Sequence, residues 1–172
     1  QLNLHSHAFY ELLYCCNDCG AEYLVGADRY RLQKGDIVFV PPGISHRPLL
    51  PENMPEPYQR YVLWISQEFS DYVQSMFPDD TAAQRDHSIP IRTAGTRWEF
   101  LEELFRAGVL EEESKRPGGE MSVLGNTLMI ISNMKRAYIE RSAGTMQAEK
   151  PELLDRLMTH IEANYSSRIT LE

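Results

Sequence analysis

The sequence predicts a mainly β amino-terminal part followed by an α-helical carboxy-terminal part. Three observations point there. Up to residue 65, short runs rich in aromatic and β-favouring residues alternate with turn chemistry. From Ser66 onward the apolar residues recur at helical steps. The chain has 172 residues, 42% of them hydrophobic, which suits one domain, or one domain with an appendage. Many short strands at this spacing predict a barrel or a sandwich.

The elements follow in order. Ala8 to Tyr14 reads as a strand, and Asn17-Asp18-Cys19-Gly20 as a turn. Ala21 to Val25, Tyr30 to Leu32 and Ile37 to Val40 are further strands, broken at Gly26-Ala27-Asp28 and Lys34-Gly35-Asp36. Pro41-Pro42-Gly43 forces a turn, because proline fixes φ and glycine permits positive φ. Four prolines between Pro48 and Pro57 predict an exposed loop, and Tyr58 to Ile65 is the longest strand candidate. Gln67 to Phe77 is a short helix ending at Pro78. Trp98, Leu101, Leu104 and Phe105 form a stripe along a helix over 95–114, which Arg116-Pro117-Gly118-Gly119 ends. A helix over 120–141 carries Met121, Leu124, Leu128, Ile131 and Tyr138 as a heptad-like seam, with Val123, Thr127, Ile130 and Met134 beside it. So wide an apolar face fits either a purely intramolecular core helix or a helix that packs on the chain's own β-domain and on a partner at once, with the seam as the expected dimer contact. Ser142-Ala143-Gly144-Thr145 reads as a linker, and Leu153, Leu154, Leu157, Met158 and Ile161 as one face of a last helix.

Composition narrows the function. Seventeen Lys and Arg against 25 Asp and Glu give a formal net charge of −8, a poor basis for gripping phosphates. No apolar run approaches the ~20 residues of a membrane span, and no signal segment opens the chain. Three cysteines, Cys15, Cys16 and Cys19, lie too close together for a disulfide framework, so a reducing cytoplasm is expected. Cys16 and Cys19 read either as half a zinc site or as a hairpin turn that holds thiols. The first and last residues, Gln1 and Glu172, lead us to expect a piece of a longer protein.

One constellation carries chemistry. In His5-Ser6-His7-Ala8-Phe9-Tyr10-Glu11, strand alternation places His5, His7 and Glu11 on one face. Two imidazoles and a carboxylate converging there could bind a divalent transition metal, with Zn²⁺, Ni²⁺ and Fe²⁺ not separated by ligand type. Gly35-Asp36 through Pro41-Pro42-Gly43-Ile44-Ser45-His46 forms a second motif that offers His46 as fourth ligand. Without a metal, the four residues would line a polar pocket.

These two motifs, in this order, resemble the cupin superfamily over residues 1–65. The resemblance implies a cupin-like β-barrel (a double-stranded β-helix) followed by a helical hairpin. It departs at Leu50, where the second motif usually closes with asparagine. Phe9-Tyr10-Glu11-Leu12-Leu13, Tyr30-Arg31-Leu32, the Gly35 to Gly43 stretch and the order barrel, hairpin, linker, helix resemble the sensor domain of AraC-family transcription regulators. Leu153 to Tyr165 with Ile169-Thr170-Leu171-Glu172 resembles the start of that family's helix-turn-helix domain. The implied organisation is an effector-binding barrel with a short helix at 1–92, a dimerising hairpin at 93–142, a linker at 143–150 and the start of a DNA-binding domain at 151–172. It implies a non-enzymatic cytoplasmic homodimer that binds a small, sugar-like effector and reaches DNA only through a carboxy-terminal domain. The family parity places Gln59 and Tyr61 inside the barrel, as effector contacts or, for Tyr61, as an ordinary core residue. Arg47 is either a partner for an anionic effector or a solvated strand-end charge. Trp64 and Trp98 are expected to pack barrel against helix. A metal-dependent cupin enzyme (a dioxygenase or sugar isomerase) and a metal-ion sensor are the alternatives.

Overall fold

The computed structural model describes residues 3–76 and 90–148, with side chains described through Arg141. The expected helix-turn-helix start at 151–172 lies outside the described residues. The chain divides into two compact units, Gln1–Tyr138 and Ile139–Glu172. The second is described only through its helical residues 139–148.

In order, the elements are β1 (Tyr10–Cys15), β2 (Glu22–Val25), β3 (Asp28–Arg31), β4 (Asp36–Val40), β5 (His46–Leu49), β6 (Arg60–Ile65), α1 (Gln67–Met76), β7 (Ile91–Arg92), α2 (Leu101–Ser114) and α3 (Gly119–Ala148). All strand pairs are antiparallel. They form a four-stranded sheet in the order β6-β1-β4-β7 and a three-stranded sheet in the order β3-β2-β5. No strand pairing among the described residues joins the two sheets into a closed ring.

Two cores fix the layers. Leu13 and Cys15 of β1, with Val38 and Val40 of β4, meet Tyr23 and Val25 of β2, so the two sheets face each other across this core. On the other face of the four-stranded sheet, Leu12, Tyr14, Ile37, Ile65 and Ile91 pack against Trp98, Leu101 and Phe105 and against Ile130, Met134 and Ala137 of α3. Strand β1 thus has apolar residues on both faces, as a strand between two layers requires.

The turn into β4 depends on Gly35. Its φ is 84°, and a Cβ there would lie 2.8 Å from the backbone nitrogen of Ala94. Next to it Asp36, 1% exposed, accepts hydrogen bonds from the Gln33 amide (2.8 Å) and from Arg92 Nε (3.0 Å) and Nη2 (3.2 Å). Arg92 lies on β7, a two-residue strand too short for sequence periodicity to show.

Three expectations are corrected here. Pro48 and Leu49 belong to β5, not to a loop. β5 is an edge strand, where a missing N–H costs no ladder bond. The expected linker at 143–150 is helical through Ala148; Ser, Ala, Thr and Met tolerate a helix, and Gly144 costs it only about 1 kcal/mol. The helix face toward the sheet is the second stripe, with Thr127, Ile130 and Met134 buried. Of the expected dimer seam, Met121 is 77% and Leu124 45% exposed. Ile131 and Tyr138 pack against the intramolecular core instead, and Leu128 is half-buried.

Candidate metal centre

Backbone pairing assembles the site. The segment before β1 lies along the start of β5: His5 and His46 form an antiparallel bridge, with His46 N–H donating to His5 O (2.9 Å) and His5 N–H to His46 O (3.3 Å). Gly43 N–H donates to His7 O (2.8 Å). Convergence therefore comes from two chain segments, not from one regular strand through positions 5 to 11.

His7, Glu11 and His46 each offer a ligand atom, and these atoms all lie within 4.8 Å of one another. His7 Nε2 is 3.4 Å from Glu11 Oε2, and His46 Nε2 is 3.9 Å from Glu11 Oε1. Two ligands about 2.0–2.2 Å from one tetrahedral ion stand about 3.3–3.6 Å apart, so the two histidine–Glu11 distances are close to those a shared ion needs. His5 is exposed and stands outside this trio, but its ring lies 4.4 Å from that of His46. It sits beside the trio as a candidate fourth ligand.

The histidine tautomers support the same chemistry. Nδ1 of His7 contacts Phe9 O at 2.8 Å, that of His46 contacts Ile44 O at 2.9 Å, and that of His5 contacts Asn3 O at 2.9 Å. A carbonyl oxygen only accepts, so each Nδ1 carries a proton, and in a neutral ring of that tautomer Nε2 is the atom free to bind a metal. His7 Nε2 and His46 Nε2 are buried without hydrogen-bond partners. Burial also pushes the fully buried His46 imidazole below its ordinary range, holding it neutral, as a ligand must be. Two buried imidazole nitrogens facing one carboxylate form a cluster that a proton or a metal cation shared among them stabilises.

Glu11 is itself held from both sides. Oε1 accepts from Tyr23 OH on β2 (3.1 Å), and Oε2 accepts from Trp64 Nε1 on β6 (3.0 Å). Burial, with the Glu11 charge beside it, pushes the Tyr23 phenol well above its ordinary range, so it remains a donor. Phe9 stacks on His7 at 3.8 Å and 3°, and its ring lies 5.4 Å from that of Trp64.

The other expected site residues lie elsewhere. Opposite residues of β1 and β6 share a face, and the register pairs Glu11 with Trp64, Leu13 with Val62 and Cys15 with Arg60. The inner face of β6 therefore carries Arg60, Val62 and Trp64. Tyr61 lies on the opposite, helix-facing side beside Tyr14 and Phe105, at ring distances of 6.2 and 6.5 Å. Gln59 is exposed, with its backbone amide bound to Asn17 Oδ1 (3.0 Å). The expected inner set on this strand is thus reversed. Arg47 alternates with the buried His46 and Pro48, so it lies on the other face of β5 opposite Leu24, half-buried and with its Nε buried without a hydrogen-bond partner. Trp98 packs between sheet and helices as expected, whereas Trp64 is 67% exposed and serves Glu11. Among the described residues, neither Cys16 nor Cys19 joins a group of three possible metal ligands. No described helix is long and apolar enough to cross a membrane.

No family model matches the chain, and no curated protein matches it. Among solved structures, it is similar to a cupin 2 conserved barrel domain protein from Salinispora arenicola CNS-205. Identity is 27% and the TM-score 0.34, over 43% of this chain and 60% of that one.

Proposed function

We propose that the chain is a cupin-like sensor domain of an AraC-type transcription regulator that holds a divalent transition metal at His7, Glu11 and His46, with His5 as fourth ligand. The observation that carries the metal reading is the pair of buried Nε2 atoms, neither with a hydrogen-bond partner, that face the two oxygens of one carboxylate. A bound Zn²⁺, Ni²⁺ or Fe²⁺ would offer open coordination positions to an oxygen of a small molecule. The effector is a sugar-like metabolite, with the aromatic face of Trp64 on the inner side of β6 as its stacking surface.

The sensor reading is supported by the two faces of β1. Glu11 belongs to the metal cluster, while Leu12 and Tyr14 pack against the helical layer. Tyr14 OH also donates to Glu102 of α2 at 3.0 Å. An effector that shifts β1 changes what α2 and α3 pack against, provided it binds one arrangement better than the other. The exposed Met121, Leu124 and Met129 of α3 are the homodimer surface. In this reading DNA is reached only through a carboxy-terminal domain, in a cytoplasmic protein without enzymatic activity.

One observation favours a second reading, a metal-dependent enzyme. With His5 exposed, the trio is two histidines and one carboxylate, the ligand set of non-haem Fe²⁺ oxygenases. A thermal-shift screen of sugars and related metabolites on the metal-loaded chain, followed by light scattering, separates the readings. The sensor reading predicts a ligand that raises the melting temperature and is recovered unchanged. Consumption of the ligand would replace it with the enzyme reading.

A further inference from the structure

We propose that Tyr23 and Trp64 are the positioning residues of the metal centre, each fixing one oxygen of Glu11 and one of the two histidines; this rests on the metal reading above. A carboxylate on a flexible side chain turns freely about its last bond unless both oxygens are held. Here each oxygen accepts one hydrogen bond, from donors on opposite sheets: Tyr23 on β2 holds Oε1, and Trp64 on β6 holds Oε2. Oε1 is thereby turned toward His46 and Oε2 toward His7.

The same two residues reach the histidines. The Tyr23 ring lies 6.2 Å from that of His46 at 25°. Trp64 lies against Phe9, and Phe9 stacks on His7. Trp64 is 67% exposed on an edge strand, so burial gives it little reason to hold one conformation. It touches instead the ligand Glu11 and Phe9, which stacks on the ligand His7. Outer residues that orient metal ligands in this way typically change affinity by about 10–100-fold when removed.

The test is a Co²⁺ titration of the metal-stripped 172-residue chain, read by visible absorption and by tryptophan fluorescence. The parent is expected to bind with quenching of Trp64. Tyr23→Phe and Trp64→Phe are each expected to weaken binding by about 10-fold or more. Trp64→Gln, which keeps an N–H donor, is expected to recover part of that loss. The metal-free melting temperature of Trp64→Phe, at an exposed residue, should stay within about 3 °C of the parent. Tyr23→Phe, which leaves a buried carboxylate oxygen short of a donor, should cost about 1–3 kcal/mol, so its metal affinity is measured below its own melting transition. Binding by both phenylalanine variants within twofold of the parent would overturn the positioning role while leaving the metal site standing. Absence of Co²⁺ binding by the parent itself would overturn the metal reading and this inference together.

Discussion

Replacing His46 with alanine should remove most of the metal-induced stabilisation of the folded chain. Structural four-ligand zinc sites bind with about 10–16 kcal/mol, so one ligand carries about 3 kcal/mol, or about 100-fold in dissociation constant. At a metal concentration about 100 times the parent's dissociation constant, the parent gains about 2.7 kcal/mol and the variant about 0.4 kcal/mol. For a chain of this length each kcal/mol moves the melting temperature by about 3 °C, giving about 8 °C for the parent and about 1 °C for His46→Ala. The variant is also less stable without metal, because His46 is 0% exposed and its loss leaves Ile44 O without that partner. The quantity to compare is therefore the difference between metal and chelator in each protein, measured by scanning fluorimetry. A variant that keeps more than half of the parent's shift would refute the assignment of His46 as a ligand.

The remaining predictions concern the frame around the site. Tyr61→Ala should lower stability to denaturant by about 1–3 kcal/mol, because Tyr61 packs on the helical layer, and should leave metal affinity within twofold. Asp36→Ala should cost about 2 kcal/mol in urea unfolding, mainly from the Gln33 amide left without its acceptor. Its ion pair with Arg92 counts for little, since the arginine side chain is 53% exposed. Burial pushes the Cys15 thiol up to about 12, so the folded chain should resist alkylation there at pH 8. A raised folded value means the native state keeps a proton that the unfolded chain loses, so stability should fall as pH rises from about 9 toward 12, and Cys15→Ala should flatten that fall. Leu124→Asp should shift the chain toward monomer in light scattering, because it places a charge on the exposed face of α3.

What the sequence made legible is what local pattern controls. Glycine and proline turns set the strand order, and the spacing of His5, His7, Glu11 and His46 announced the cluster before any register was known. Register was the hidden variable. Placing Tyr61 inward assumed which parity of β6 faces the cluster, and only the pairing of Glu11 with Trp64 decides that. For the same reason Tyr23 and Trp64 escaped notice: both approach Glu11 from other strands, 12 and 53 positions away in sequence. The helices show the complementary limit. Two apolar stripes ran along α3, and periodicity alone does not say which one faces the sheet. The run past Ser142 was misread as a linker because its small polar residues permit either state.

The central claim is that His7, Glu11 and His46 hold one divalent metal ion. Calorimetric titration of the metal-stripped chain with Zn²⁺, beside elemental analysis of the protein as purified, tests it most directly. The account predicts one ion per chain, with binding weakened by about 100-fold in His46→Ala. Absence of binding at micromolar Zn²⁺, or equal binding by His46→Ala, would contradict it.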